Sequence, residues 1–371
     1  MRACTCLAVG LLVFAALGAC GYDERDPSVA APAPLSRDSE VADDAARSST
    51  SGAAPTPPTT SETSPAVTEV VVPGSSVAAE ATEPPAPPEM PEPKEAVAPL
   101  PTCSHEAAFG APAPVPGLPL RAVRLRTSPD ERLGYYAWPS ATFRYDLLVA
   151  TRETRSSAFG EGESLAFNDA GWDFSPTLPN DNTVLYLESN RSGSWKLYQS
   201  EWDAEAQVFG PLAFPAGLSN STATYNDGGP FISADGAVMY FHTNRLGRQL
   251  LASARRSGDS FGPIYLIDSG AVLIGGFPAV SPDELTMYFA AEVGSEAEGK
   301  HEDIWSASRS STSEAFTNFR EVAGVNTPAN EVPSFISADG CRLYFDRNTG
   351  FPFSWGRTDD TAYFAERQLE Q

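Results

Sequence analysis

The sequence predicts an all-β fold, a five-bladed β-propeller, on three observations. A repeat of about fifty residues recurs five times, each copy keeps an acidic turn with a tyrosine five residues later, and the element missing from the last copy is found ahead of the first. The copies are Thr127-Ser128-Pro129-Asp130 with Tyr135, Leu178-Pro179-Asn180-Asp181 with Tyr186, Ile232-Ser233-Ala234-Asp235 with Tyr240, Val280-Ser281-Pro282-Asp283 with Tyr288, and Ile336-Ser337-Ala338-Asp339 with Tyr344. The aspartates at 130, 181, 235, 283 and 339 are spaced by 51, 54, 48 and 56 residues, a period characteristic of propeller blades.

Within a copy the order is strand, acidic turn, aromatic strand, turn, strand, turn and outer strand, which makes a four-stranded antiparallel blade. The second turn is rich in Gly, Asn and Arg, as in Asn190-Arg191-Ser192-Gly193 and Asn244-Arg245-Leu246-Gly247. The third strand runs from Leu147 to Arg152, Leu250 to Arg255, Ile304 to Arg309 and Tyr363 to Arg367, with Lys196 to Trp202 as the version without the arginine. The outer element opens on Phe159-Gly160, Phe209-Gly210 and Phe261-Gly262, and on Phe316 without the glycine. The fifth copy stops after Arg367 without that element, and Phe109-Gly110 stands in register for it before the first copy. The N-terminal segment is therefore expected to supply the outer strand of the last blade, which removes the two open ends of the ring.

Closure brings two cysteines toward each other, because Cys103 lies just before the closing strand and Cys341 just after the Asp339-Gly340 turn of the last blade. A Cys103–Cys341 disulfide is the expectation, the alternative being two buried thiols.

Ahead of the propeller region at 101–371 the chain has a different character. Arg2 precedes an apolar run from Leu7 to Leu17, too short to span a bilayer, that ends in Leu17-Gly18-Ala19-Cys20. These residues resemble the signal peptide and lipobox of bacterial lipoproteins. The resemblance implies cleavage after residue 19, lipidation of Cys20 and a cell-envelope location; Gly21 in place of Asp implies sorting to the outer membrane. Residues 20–100 are dominated by Pro, Ala, Ser, Thr, Glu and Val with almost no aromatics, so they bury too little apolar surface to offset chain entropy and read as a disordered tether. As a flexible coil it would reach on the order of 50 Å.

A net charge of −23 and a pI near 4.4 argue against nucleic acid and anionic membrane surfaces as partners, leaving the lipid as the sole membrane contact. His105, His242 and His301 stand singly and carry no zinc signature, and there is no nucleophile elbow, P-loop or dinucleotide turn. No metal and no cofactor is expected, the chain reads as a monomer, and no residue is assigned as catalytic.

The phrases Phe231-Ile232-Ser233-Ala234-Asp235-Gly236 and Phe335-Ile336-Ser337-Ala338-Asp339-Gly340, with Asp303-Ile304-Trp305-Ser306-Ala307-Ser308-Arg309, resemble the WD40-like propeller repeat of the TolB-like superfamily. The resemblance covers residues 105–371. It speaks for fold more than function, since such propellers serve as scaffolds, binding platforms and occasionally enzyme domains. Many of them have six blades, and this chain has room for five.

The turn residues Asp130, Asp235, Asp283 and Asp339 read as structural, because Asp and Gly are turn formers and a structural role predicts one per blade. Better candidates lie eight residues before each turn aspartate, where the inner strand begins near the central channel. These positions hold Ala122, Asp173, Asp227, Gly275 and Glu331, and the three acids are flanked in two copies by Asn226 and Asn330. One reading has them capping backbone amides, the other has them forming a channel-mouth site for a cation, a cationic peptide group or a sugar. The acidic stretch from Glu292 to Glu302 reads as an exposed, solvated loop of the fourth blade, with specificity as the alternative.

Two function classes follow, with pure spacing or display as a third. The favoured one is a non-catalytic envelope propeller that binds an envelope protein or a glycan such as a peptidoglycan component. The other is a glycoside hydrolase or lyase, in which one carboxyl protonates the leaving oxygen and another acts as base or nucleophile about 5 to 9.5 Å away.

Overall fold

The computed structural model describes residues 103–141, 144–168, 171–219, 224–267, 274–295, 299–349 and 359–368. The signal segment, Cys20 and the tether lie outside the described residues. Five four-stranded antiparallel sheets follow one another around a common axis. Blade 1 is β2 (Val123–Thr127), β3 (Leu133–Pro139), β4 (Tyr145–Thr151) and β5 (Glu163–Ser164). Blade 2 is β6 (Asp173–Thr177), β7 (Val184–Ser189), β8 (Lys196–Asp203) and β9 (Val208–Phe209). Blade 3 is β10 (Asp227–Ile232), β11 (Val238–Thr243), β12 (Leu250–Ser257) and β13 (Ser260–Ile267). Blade 4 is β14 (Ile274–Val280), β15 (Thr286–Val293), β16 (His301–Ser308) and β17 (Thr317–Glu321). Blade 5 is β18 (Asn330–Ile336), β19 (Arg342–Asn348) and β20 (Thr361–Glu366), completed by β1 (Ala113–Pro114).

The ring closes as the repeat predicts. Ala113 and Pro114 pair with Phe364 and Tyr363, and Phe109 bridges Arg367. Cys103 and Cys341 form a disulfide with a Cα–Cα distance of 5.8 Å. Beside it, the buried Glu131 of blade 1 receives Arg342 of blade 5 at 3.0 Å, Arg155 at 3.2 Å, Arg152 at 3.3 Å and the Tyr344 hydroxyl.

The five repeated tyrosines are buried, and at three of them the hydroxyl meets one of the repeated arginines. Arg309 of blade 4 donates to Tyr240 of blade 3, Arg367 of blade 5 to Tyr288 of blade 4, and Arg152 of blade 1 to Tyr344 of blade 5. Each of these arginines also lies over its own outer-element phenylalanine, 4.3 Å from Phe316 and 4.4 Å from Phe109 and Phe159. A buried phenol usually needs a hydrogen-bond partner, and at these three junctions the next blade supplies it, while the Tyr186 hydroxyl is buried without one among the described residues.

The stretch from Glu292 to Glu302 departs from the expected solvated loop at both ends. The β15–β16 ladder continues to Val293 and His301, pairing Glu292 with Glu302. Lys300 lies 3.0 Å from Glu292 across the hairpin, and the missing side chain of Gly275 makes room for Glu302 to fold inward.

Candidate functional site

Asp173, Asp227 and Glu331 occupy the starts of β6, β10 and β18, and all three are fully buried. Each carboxylate faces an arginine of the second turn or strand of its own blade. Arg191 meets Asp173 at 2.9 Å, Arg245 meets Asp227 at 2.7 Å, and Arg347 meets Glu331 at 2.6 Å. The same guanidinium groups donate to the carbonyls of Phe167, Leu218 and Val325 in the loop entering the blade. Glu carries one more methylene than Asp, and its arginine sits correspondingly earlier, on β19 rather than in the turn. Burial pushes the Glu331 carboxyl up, while the Thr327 hydroxyl and amide and the Arg347 guanidinium pull it back. Asn226 and Asn330 join neighbouring blades: Asn226 accepts the Trp195 amide of blade 2 at 3.2 Å, and Asn330 the Glu302 amide of blade 4 at 3.0 Å.

The turn aspartates are engaged in their own turns. Ser128, Ser233, Ser281 and Ser337 donate to Asp130, Asp235, Asp283 and Asp339 at 2.5 to 2.6 Å. The amide two residues on donates to the same oxygen in each. These bonds hold Asp235 below the ordinary carboxylate range, and together with the Arg155 guanidinium at 2.6 Å they do the same for Asp339 against the opposing effect of burial.

The axis is lined by the positions six and four residues before the turn aspartates, which the alternation of a strand puts on one face. The outer layer is Arg124, Ser175, Gly229, Phe277 and Pro333, and the inner layer Arg126, Thr177, Phe231, Ala279 and Phe335. A β-bulge interrupts each inner strand at this level. Arg124, Ser175, Gly229 and Phe277 take positive φ of 51° to 58°, a region that costs a non-glycine residue strain unless its surroundings hold it there.

At Arg124, Gly229 and Phe277 those surroundings include polar side chains two residues after the blade tyrosines, whereas at Ser175 the equivalent residue of the preceding blade is Ala137. The Arg124 amide donates to both oxygens of Asp346 at 3.0 and 3.1 Å, the Gly229 amide to Glu188 at 3.0 Å, and the Phe277 amide to His242 Nδ1 at 3.4 Å. Each contact runs from one blade to the preceding one. At the blade 4–5 junction the donor position is Pro333, which has no N–H, and the acceptor position is Ala290. Glu188, His242 and Asp346 thus satisfy bulge amides freed from the sheet ladder.

Arg124 closes the outer layer, with its guanidinium 3.8 Å from the Phe277 ring centroid and donating to the Pro333 carbonyl at 2.9 Å. Burial pushes Asp346 and Glu302 up to about 7, the arginine opposing the rise. Burial and the same arginine push His242 down to about 3. Glu302 Oε2 is buried without a hydrogen-bond partner among the described residues. The cavity at this layer is about 10 Å³, the space of one water. None of Asp173, Asp227 and Glu331 lines it.

The inner layer is different in kind. Arg126 is buried between Phe231 and Phe335, 4.5 and 4.3 Å from their ring centroids, and its Nη2 donates to the Leu178 carbonyl at 3.0 Å. It forms the base of a cavity of about 30 Å³ that opens at the acidic-turn face. Sequence reasoning missed both axial arginines. The signal was present, since Val123-Arg124-Leu125-Arg126-Thr127 carries arginines where the other blades carry Ser, Gly, Pro, Phe, Thr or Ala.

A third cavity of about 270 Å³ lies between β16, β17 and the segment from His105 to Phe109, and none of its lining groups is a buried polar atom without a partner. Cys103, His105 and Cys341 cluster closely enough to hold a metal, but the two sulfurs are joined to each other and His105 Nε2 lies 3.0 Å from the Asp339 carbonyl.

No family profile and no curated protein matches this chain. Among solved structures it is similar to a putative TolB from Agrobacterium tumefaciens, at 14% identity over 66% of this chain and 73% of that one, with a TM-score of 0.39. TolB from Acinetobacter baumannii is similar at 11% identity over 67% of this chain, which spans 55% of that protein, with a TM-score of 0.39. An endo-arabinase from Bacteroides thetaiotaomicron VPI-5482 is similar at 14% identity over 71% and 98%, with a TM-score of 0.47. The five-bladed fold is compatible with a scaffold role and with a catalytic one.

Proposed function

We propose that this chain is a non-catalytic binding or scaffold propeller of the bacterial cell envelope, held by a lipid on Cys20 and set off from the membrane by the tether at 20–100. Its partner is an envelope protein or a peptidoglycan-associated glycan, recognised at a mouth of the central channel. The observation that carries this reading is the engagement of the carboxylates that begin the inner strands and that face the axial bulges, Glu302 alone of the inward-facing acids named above keeping an unpartnered oxygen among the described residues. Asp173, Asp227 and Glu331 are held by arginines, and Glu188 and Asp346 by bulge amides. A glycosidase needs one carboxyl free to give a proton and another free to act as base or nucleophile, in a cleft that admits a sugar ring. The 10 Å³ left beside Arg124 is far below the roughly 300 Å³ of the smallest usual ligand pockets.

The test uses full-length protein carrying a photo-crosslinking residue at Pro179 or Pro282 on the acidic-turn face, in native envelope. A discrete adduct identified by mass, with no release of reducing ends from arabinan, xylan or peptidoglycan, is the expected result. Release of reducing ends by the wild type and not by a Glu302→Gln variant would replace this reading with a hydrolase.

A further inference from the structure

We infer that the cavity at the acidic-turn face is a binding site for a single carboxylate carried on an apolar stem, with Arg126 as the group that recognises it. The inference rests on the binding reading above and names the chemistry of its ligand.

Burying a cation without a counter-ion is costly, and buried charges in folded proteins are paired or bound to something. Every other buried arginine of the described residues has an acid within salt-bridge distance: Arg124 has Asp346, Arg152 has Glu131, and Arg342 has Glu131 and Glu366. Arg126, 5% exposed, has none among the described residues. Its Nη1 is a buried donor without a partner among the described residues. The neighbouring Thr127 Oγ1, which lines the same cavity, is likewise buried and without one. Two orphaned polar groups on one cavity wall mark a place where a ligand atom completes the hydrogen bonding.

The shape narrows the ligand. The rings of Phe231 and Phe335 on either side of the guanidinium and the Leu178 carbonyl on Nη2 fix the group in place, so the unpartnered Nη1 has a fixed position from which to recognise a carboxylate. A cavity of about 30 Å³ is two to three times the 10–15 Å³ that holds one water, which suits a carboxylate head and excludes a sugar ring. Leu178, Pro179, Val280, Pro282 and Ile336 are among the lining residues and offer apolar surface to the stem, beside Asn180, Asn182 and the turn serines. Glu284, the acid of the lining, is already held by Arg309 at 3.6 Å and by the Tyr240 hydroxyl at 2.5 Å, so it leaves Arg126 uncompensated. Burial lowers the Arg126 pKa to about 9, which keeps it cationic at neutral pH.

The carboxylate could come from a peptide C-terminus or from a free small acid, and the experiment separates the two. Full-length protein is titrated calorimetrically at neutral pH with acetyl-Ala-Ala-Phe, with the same peptide as its C-terminal amide, and with hexanoate; NMR of the phenylalanine rings locates the site. The expected result is that at least one acid binds with a dissociation constant below about 1 mM, that the peptide amide binds at least about tenfold more weakly than the peptide acid if that is the ligand, and that Phe231 and Phe335 resonances shift. Arg126→Gln then abolishes binding, and Arg126→Lys weakens it at least about fivefold while remaining folded. Peptide acid over hexanoate assigns a chain terminus, and the reverse assigns a small acid.

Equal binding of peptide acid and amide with no binding of hexanoate, unchanged binding by both arginine variants, shifts confined to other residues, or no binding up to about 10 mM would each overturn the inference. A crosslinked partner in the envelope experiment together with no carboxylate binding would leave the binding reading standing and remove only this ligand.

Discussion

Arg245 holds the Asp227 carboxylate at 2.7 Å from a position that is a quarter exposed, while Asp227 itself is wholly buried. The asymmetry makes the two halves of the pair unequal. Removing Arg245 leaves a carboxylate with no solvent, so Arg245→Ala should cost about 3–5 kcal/mol of folding stability. Removing Asp227 leaves a guanidinium that can turn to water and still donate to Leu218, so Asp227→Ala should cost about 1–3 kcal/mol. Urea denaturation of both singles and the double checks this. A double variant whose cost equals the sum of the singles would show that the two side chains do not act as a pair.

The ring is closed by a covalent bond between positions 238 residues apart, next to an ionic cluster on Glu131. Cross-linking so long a loop removes much denatured-state entropy, and Cys341→Ser is expected to lower stability by about 2–5 kcal/mol. The wild type in reductant should fall by a similar amount and remain folded, because β1 and the Glu131 cluster still join blades 5 and 1. Identical denaturation midpoints with and without reductant would contradict a structural role for the bridge.

The blade count, the order of strands and the closing segment were all legible, because turn aspartates, buried tyrosines and Phe-Gly elements each answer a need that every blade has. The disulfide was legible for the same reason once closure placed Cys103 near Cys341. The site was less so. That Asp173, Asp227 and Glu331 begin the inner strands follows from register, but register does not say whether a carboxylate turns to the axis or to an arginine of its own blade. The arginines 18 residues on in two blades and 16 in the third were the available sign. The axial pair Arg124 and Arg126 departs from the repeat, and comparison by likeness passes over positions that differ. Glu302 was hidden by a different cause, since its inward course depends on the empty side-chain position of Gly275 on another strand.

Arg126 should lower the stability of the ligand-free protein. Its burial between Phe231 and Phe335 with one carbonyl partner resembles a binding group retained at the expense of folding. Arg126→Met keeps the length and removes the charge, and is expected to stabilise by about 1–3 kcal/mol, read as a higher Tm. A lower Tm would mean that the Leu178 hydrogen bond and the two ring contacts outweigh the desolvation of the charge.

The outer axial layer gives the protein a pH dependence of definite sign. Asp346 and Glu302 rise from ordinary values of 3.8 and 4.5 to about 7, so in this window the folded state binds protons that the unfolded state has released. Stability from these two groups is therefore lost as pH rises from about 4 to about 7. His242 falls from 6.5 to about 3 and acts in the opposite sense, stability rising with pH from about 3 to about 6.5. Burial raises the Glu188 carboxyl of the same layer as well, so the acids outnumber the one imidazole and leave a net fall of stability between roughly pH 4.5 and 6.5, of about 1.4 kcal/mol per pH unit for each acid in excess. Asp346→Asn removes one of the acids and still offers an acceptor to the Arg124 amide. Its urea midpoint should consequently be flatter than the wild type's across that window, and parallel curves would mean that Asp346 stays ionised throughout.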